Sequence, residues 1–160
     1  MAGMLLKELK QTRPFRSRAE EAALNLMRTA DMLKRSWAEL LRVQDLTAAQ
    51  YNVLRILRGA LNERDEAKRA STCGDIADRL VTFEPDVTRL LDKLVRRGLV
   101  DRNRDERDRR VVHSRITQKG LDLLVTLDEP GIALIERRLG WLGQARLAVL
   151  IDLLETIRQD

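Results

Sequence analysis

Thr72-Cys73-Gly74-Asp75-Ile76-Ala77-Asp78-Arg79-Leu80, then after a short gap Pro85-Asp86-Val87-Thr88-Arg89-Leu90-Leu91-Asp92-Lys93-Leu94-Val95-Arg96-Arg97-Gly98, is the stretch whose reading decides the fold. Thr72 with Asp75 three residues on has the spacing of a capping box, in which each side chain satisfies the other's backbone N–H. Ile76, Ala77 and Leu80 then form the inner face of a short helix ending near Val81. Pro85, with its fixed φ and no N–H, suits the first position of a second helix. Val87, Leu90, Leu91 and Leu94 make one apolar stripe along it, and Gly98 suits its stop. Leu99-Val100 opens a β pattern, the polar run Asp105 to Asp108 turns it, and Val111 to Ile116 returns with β-branched residues among polar ones. The order is helix, tight turn, helix, charged hairpin.

Charge is concentrated on this element. Ten basic residues and five acidic ones lie between Arg89 and Arg115, a surplus equal to the +5 of the whole chain. Segregated positive charge is what a phosphate-neutralising surface requires, whereas a merely solvated surface has no reason for it. The stripe of the second helix leaves Thr88, Arg89, Asp92, Lys93 and Arg96 facing outward, a set that can donate to phosphates and guanine edges and accept from cytosine. In the hairpin Arg102, Arg104, Arg107, Arg109 and Arg110 repel one another without gain to folding, and a polyanion relieves that repulsion. Asp105 and Asp108 are placed to orient the hairpin arginines by bidentate bonds, giving them a pose suited to a narrow minor groove. The expected fold is mostly α with a small β-hairpin wing, a winged helix-turn-helix.

Outward from this element, apolar residues at three-and-four spacing from Ala19 to Val43 predict one long amphipathic helix. Thr47 and Gln50 predict a capping box opening a helix that stops at Gly59, with Leu46 stapled to Tyr51. Residues 60–70 read as a loop or a frayed helix end rather than a domain linker, since neither flank is large enough for its own core. Thr117 caps a further helix through Ile135, in which Pro130 and Gly131 predict a kink or break, and a last helix follows Gly143. Few aromatics beside abundant Leu, Ala, Ile and Val favour helices packed on helices. One cysteine and one histidine exclude an intrachain disulfide and a Cys/His zinc cage, and no cofactor is expected. Lys7 and Lys10 interrupt the opening apolar residues where a secretory signal needs a continuous run, and no long apolar stretch follows; the expected setting is cytoplasmic. Nucleophile-base sets, phosphate-binding glycine loops and metal clusters are missing from the sequence, so no enzyme is expected.

The blocks Ser71 to Leu80, Pro85 to Val100, Asp105 to Arg110 and Ile116-Thr117, in this order and spacing, resemble the MarR (multiple antibiotic resistance regulator) family of transcription regulators, with the flanking helices extending the match over about Leu24 to Arg158. The resemblance implies a homodimer whose first and last helices intertwine, with residues 1–45 and 117–160 as the dimerisation region and 46–116 as the DNA-binding lobe. It implies double-stranded DNA as partner, a role as repressor or activator, and release by a small phenolic or lipophilic effector or by oxidation. Carried over position by position, Thr88, Arg89 and Lys93, with Arg96 beside them, serve the recognition helix, while Arg107, Arg109 and Arg110 serve the wing, oriented by Asp105 or Asp108. Phe83 and Glu84 depart from the family pattern, where Ser or Thr and a neutral or basic residue are common.

An effector pocket is expected between the first two long helices and the DNA-binding lobe, lined by Trp37 and Tyr51 and with His113 nearby, although the same residues also suit plain packing. Cys73, in the first turn of its helix, is a candidate redox sensor. Leu134, Leu139, Trp141, Leu142, Leu147, Leu150 and Leu154 offer more apolar surface than a thin lobe can cover and are the expected dimer interface. The rival reading is a protein-interaction module that docks an acidic partner through the same basic surface.

Overall fold

A computed structural model describes residues 4–63, 69–105 and 108–159. A short helix α1 (Met4–Glu8) precedes the long α2 (Arg18–Arg42). Helices α3 (Ala48–Ala60), α4 (Cys73–Arg79) and α5 (Val87–Arg96) lead into the antiparallel hairpin of β1 (Val100–Arg104) and β2 (Val112–Ile116). Helix α6 (Gln118–Leu139), a single 3₁₀ turn at Gly140–Leu142 and α7 (Gly143–Ile157) complete the chain. The hairpin pairs Val100 with Ile116 and Arg104 with Val112, and a lone bridge from Ser71 to Ser114 fixes the start of α4 against β2.

Each helix from α2 to α6 begins where a side-chain oxygen takes up an orphan N–H of the first turn. Ser17 accepts from Glu20 N–H, and Thr117 from Gly120 N–H. Thr47 with Gln50 and Thr72 with Asp75 form the two expected reciprocal boxes. Asp86 caps α5 by accepting from Arg89 N–H, which corrects the expectation that Pro85 opens the helix. Proline supplies no side-chain acceptor, whereas the Asp86 carboxylate does, so the helix begins at Val87, two residues after Pro85.

Pro130 and Gly131 do not break α6, which runs as one helix from Gln118 to Leu139. Proline removes one ladder bond, but Gly131 is buried against α2, where a Cβ would come within 2.9 Å of the Trp37 ring. The absent side chain lets α6 approach Trp37, and packing gained by that approach offsets the missing bond. Helix α1 was not legible from spacing, being only one turn; its Leu5 is buried and Glu8 bonds Arg28 at 2.7 Å.

The core gathers around α3, whose Val53, Leu54 and Leu57 are almost wholly buried. Against it lie Leu41 of α2, Ile76 of α4, Leu91 and Leu94 of α5, Val100 of β1 and Leu124 of α6. Leu46 and Tyr51 are both buried there, at the positions of the predicted staple. Helix α7 differs: it buries none of its residues, and Val149, Ile151, Leu153 and Ile157 are each more than half exposed.

A charged pair joins α3 to α6. Arg58 of α3 grips Asp128 of α6 through two parallel bonds of 2.7 and 2.9 Å, holding the Asp128 carboxyl below the usual carboxylate range. Asp75 is lowered as well, by the Thr72 backbone N–H and then the Thr72 hydroxyl. A depressed folded pKa contributes stability that is complete above the unfolded value of about 3.9 and is lost as pH falls through the folded value. Thermal melts at successive pH values should therefore show Asp128→Asn less stable than the parent near neutrality and the gap closing below about pH 4. A gap constant down to strong acid would remove this pair from the acid response.

Candidate nucleic-acid interface

The candidate surface is built on α5, whose stripe Val87, Leu90, Leu91 and Leu94 is buried and fixes its rotation about its own axis. At about 100° per residue, Arg89, Lys93 and Arg96 then share an outward ridge, with Thr88 and Asp92 on one flank and Arg97 on the other. Thr88, Arg89, Lys93 and Arg96 are all exposed, and none of the three cations has an ion-pair partner among the described residues. All four sequence-predicted residues of this helix thus share one open side of the molecule.

Asp92 behaves otherwise. Its carboxylate accepts from Arg102 of β1 at 2.7 Å, so it ties α5 to the wing instead of standing free as the sequence reading expected. Arg102 is correspondingly withdrawn from the group of crowded hairpin arginines, with its side chain about four-fifths covered. Its other amino group lies 3.8 Å from Cys73 Sγ, which is itself 3.8 Å from the Thr88 hydroxyl. Cys73, half-buried, therefore sits where α4, α5 and the wing meet.

At the wing tip Asp108 accepts from the backbone N–H and Nε of Arg110 through a single oxygen, Oδ1, at 3.0 and 3.2 Å. This corrects the expected bidentate grip: binding the Arg110 backbone and side chain with one oxygen tightens the turn, a geometry a fork-to-fork pair cannot reach. Asp105 accepts from Asp108 N–H at 3.0 Å and lies 3.2 Å from His113 Nε2, so it shapes the tip and braces the opposite strand. Arg109 and Arg110 are exposed. Arg107 lies outside the described residues.

The other flank of α5 is anchored by Arg97, whose guanidinium donates to the carbonyls of Asp45 and of Gln44, the latter at 2.8 Å, just beyond the end of α2. Asp45 holds a φ of 49°, a left-handed turn that aims these carbonyls toward α5. Lys119 in turn donates to the Arg97 carbonyl at 2.8 Å. Sequence reasoning missed the Arg97 and Arg102 contacts, since their partners lie on other elements and carry no local spacing signal.

Trp37 and Tyr51 stack at 5.3 Å between ring centroids, and Arg55 lies 5.8 Å from the Tyr51 ring centre. His113 is across the molecule's wing, bound to Asp105, and does not join them. Of the expected interface residues, Trp141 is 73% exposed while Leu134, Leu139, Leu142, Leu147, Leu150 and Leu154 are half-buried. No described helix is long and apolar enough to cross a membrane.

The sequence pattern of the MarR family matches residues 46–112, the span from the start of α3 to the returning wing strand. No curated protein matches the chain. Among solved structures, a MarR transcription factor from Planctomyces limnophilus is 43% identical, aligned over 89% of this chain and 98% of that one, with a TM-score of 0.66. Bordetella bronchiseptica BpsR, whose DNA binding is regulated by 6-hydroxynicotinic acid, shares the fold at 22% identity, with 92% and 99% coverage and a TM-score of 0.75. So does MepR from S. aureus, solved as a DNA complex, at 20% identity, 86% and 96% coverage and a TM-score of 0.74. With a paired helix and wing of this geometry, and a relative so similar along nearly its whole length, the chain belongs to the MarR family of winged-helix transcription regulators.

Proposed function

We propose that this regulator acts as a homodimer on double-stranded DNA, reading an inverted-repeat operator and repressing from it until a small phenolic or lipophilic effector releases it. The observation that carries the reading is the exposed cationic ridge of α5, Arg89, Lys93 and Arg96, without ion-pair partners among the described residues and held to an arginine-bearing wing by the Asp92–Arg102 bond. A helix about 10–12 Å across fits a major groove about 12 Å wide, and a wing set rigidly beside it reaches the neighbouring minor groove. Thr88 and Arg89 then face base edges near the start of α5, while Arg107, Arg109 and Arg110 meet the minor groove and its phosphates. Trp37 and Tyr51, between α2 and α3, are the proposed point at which an effector acts, because a shift there moves two helices packed against the lobe's core.

The test is binding to a duplex from the protein's own upstream region across a salt series. If about six or more phosphates are engaged, affinity falls roughly 10³-fold or more between 50 and 200 mM salt. Arg109→Ala should weaken binding and flatten the salt slope by about one. Its melting temperature should stay that of the parent, because an exposed arginine with no ion-pair partner among the described residues contributes little to folding. Binding that ignores salt, or an unbound duplex, would turn the reading toward an acidic protein partner.

A further inference from the structure

Opposite the wing, on the Arg97 flank of α5, a cleft of about 640 Å³ opens between the end of α2, the first turn of α3 and the last turns of α5. Four cations line it, Arg42, Lys93, Arg96 and Arg97, against one acid, Asp45. Arg97 is spent on the Gln44 and Asp45 carbonyls, but Arg42, Lys93 and Arg96 have no ion-pair partner among the described residues. Three unpaired cations converging on a concave surface raise one another's energy, and an anion seated among them lowers it.

A duplex supplies that anion in a fixed place. A helix lying in the major groove has a sugar-phosphate strand along each of its sides. The Thr88–Asp92 flank, with α4 and the wing, faces one strand. The Lys93–Arg97 flank faces the other, and what lies beside it is this cleft. We infer that the cleft between α2, α3 and α5 is a second backbone seat, in which Arg42, with Lys93 and Arg96, grips a phosphodiester of the strand opposite the wing. This rests on the DNA reading above and adds to it a contact from α2, a helix outside the helix-turn-helix and wing. Its consequence is that α5 is clamped from both sides, so its depth in the groove is set by two backbones and not by base contacts alone. The wall formed by Thr47 and Ala48 is the cap and first residue of α3, whose positive end strengthens the same field.

Arg42 is exposed at the last position of α2, so Arg42→Gln changes charge without disturbing the core. The experiment measures duplex affinity for parent, Arg42→Gln and Arg42→Lys, on operators in which single phosphates are replaced by neutral methylphosphonates. Arg42→Gln should lose roughly ten-fold, the lower range for a charge-assisted hydrogen bond, with a salt slope shallower by about one and an unchanged melting temperature. Arg42→Lys should recover part of the affinity. One or two methylphosphonates on the strand away from the wing should cost the parent a similar factor and cost Arg42→Gln nothing more. A parent that binds tightly while Arg42→Gln matches it, or an Arg42→Gln that keeps the parent's full methylphosphonate profile, overturns the seat and leaves the DNA reading intact. A parent that binds no duplex overturns both. If no methylphosphonate matters but inorganic phosphate at constant ionic strength displaces the duplex from the parent and not from Arg42→Gln, the seat belongs to a free anion and the backbone assignment falls.

Discussion

Replacing Leu150 and Leu154 of α7 by aspartate should leave a folded monomer whose affinity for an inverted-repeat duplex is lower by about 10²–10⁴-fold, the factor by which two linked binding sites exceed one. The expectation comes from a helix none of whose residues is fully buried within its own chain. Leu147, Leu150 and Leu154 fall at three-and-four spacing along one side and are only half-covered, while Val149, Ile151, Leu153 and Ile157 stand open. At roughly 25 cal/mol per Å² of apolar surface, leaving such a helix in water forgoes several kcal/mol that a second copy would recover. Carboxylates in the covered seam would have to be desolvated without partners, which a dimer interface does not tolerate. Sedimentation gives the oligomeric state and duplex titration the affinity. A double variant that still sediments as a dimer, or a monomer that binds as tightly as the parent, would remove α7 from the interface.

The second large effect is on folding. Gly120, at the start of α6, sits so close to the wing that a Cβ there would come within 2.5 Å of the Leu99 carbonyl oxygen and 2.7 Å of Ile116 Cγ1. The first of these is backbone already fixed by the bond it accepts from Thr117 N–H, so nothing nearby can yield cheaply. Overpacking of this kind costs about 2–3 kcal/mol, so Gly120→Ala should lower the melting temperature by roughly 4–12 °C. The same substitution at Gly74, where a Cβ meets only Thr72 Oγ1 at an ordinary 3.7 Å, serves as the comparison and should leave the melt close to the parent's. Equal melts for the two variants would show that α6 can slide away from the wing.

How much of this was visible in the chain depends on distance along it. Caps at Thr47, Thr72 and Thr117 and the stripe of α5 are written within four residues of themselves, and each appears where the spacing placed it. Pro85 and Pro130 misled for a shared reason: proline's local preference was outweighed, at one site by a better acceptor next door and at the other by packing against Trp37. The outward set on α5 was legible because the buried stripe dictates it. The use made of Asp92 was not, since Arg102 approaches from another element; nor were the Arg97 bonds, which span more than fifty residues, or the Arg58–Asp128 pair, which spans seventy. Periodicity reports which way a side chain faces and is silent on what meets it there.

The Arg97 fork also has a mechanical side. It fastens the end of α5 to the end of α2, a 25-residue rod about 37 Å long. Such a rod works as a lever: pivoting its far end by about 3° swings the near end by roughly 2 Å, enough to carry a guanidinium out of reach of its target. In the proposed homodimer, a small rearrangement at the remote tip of the rod would change the gauge between the two copies of α5 without anything touching their outward ridges.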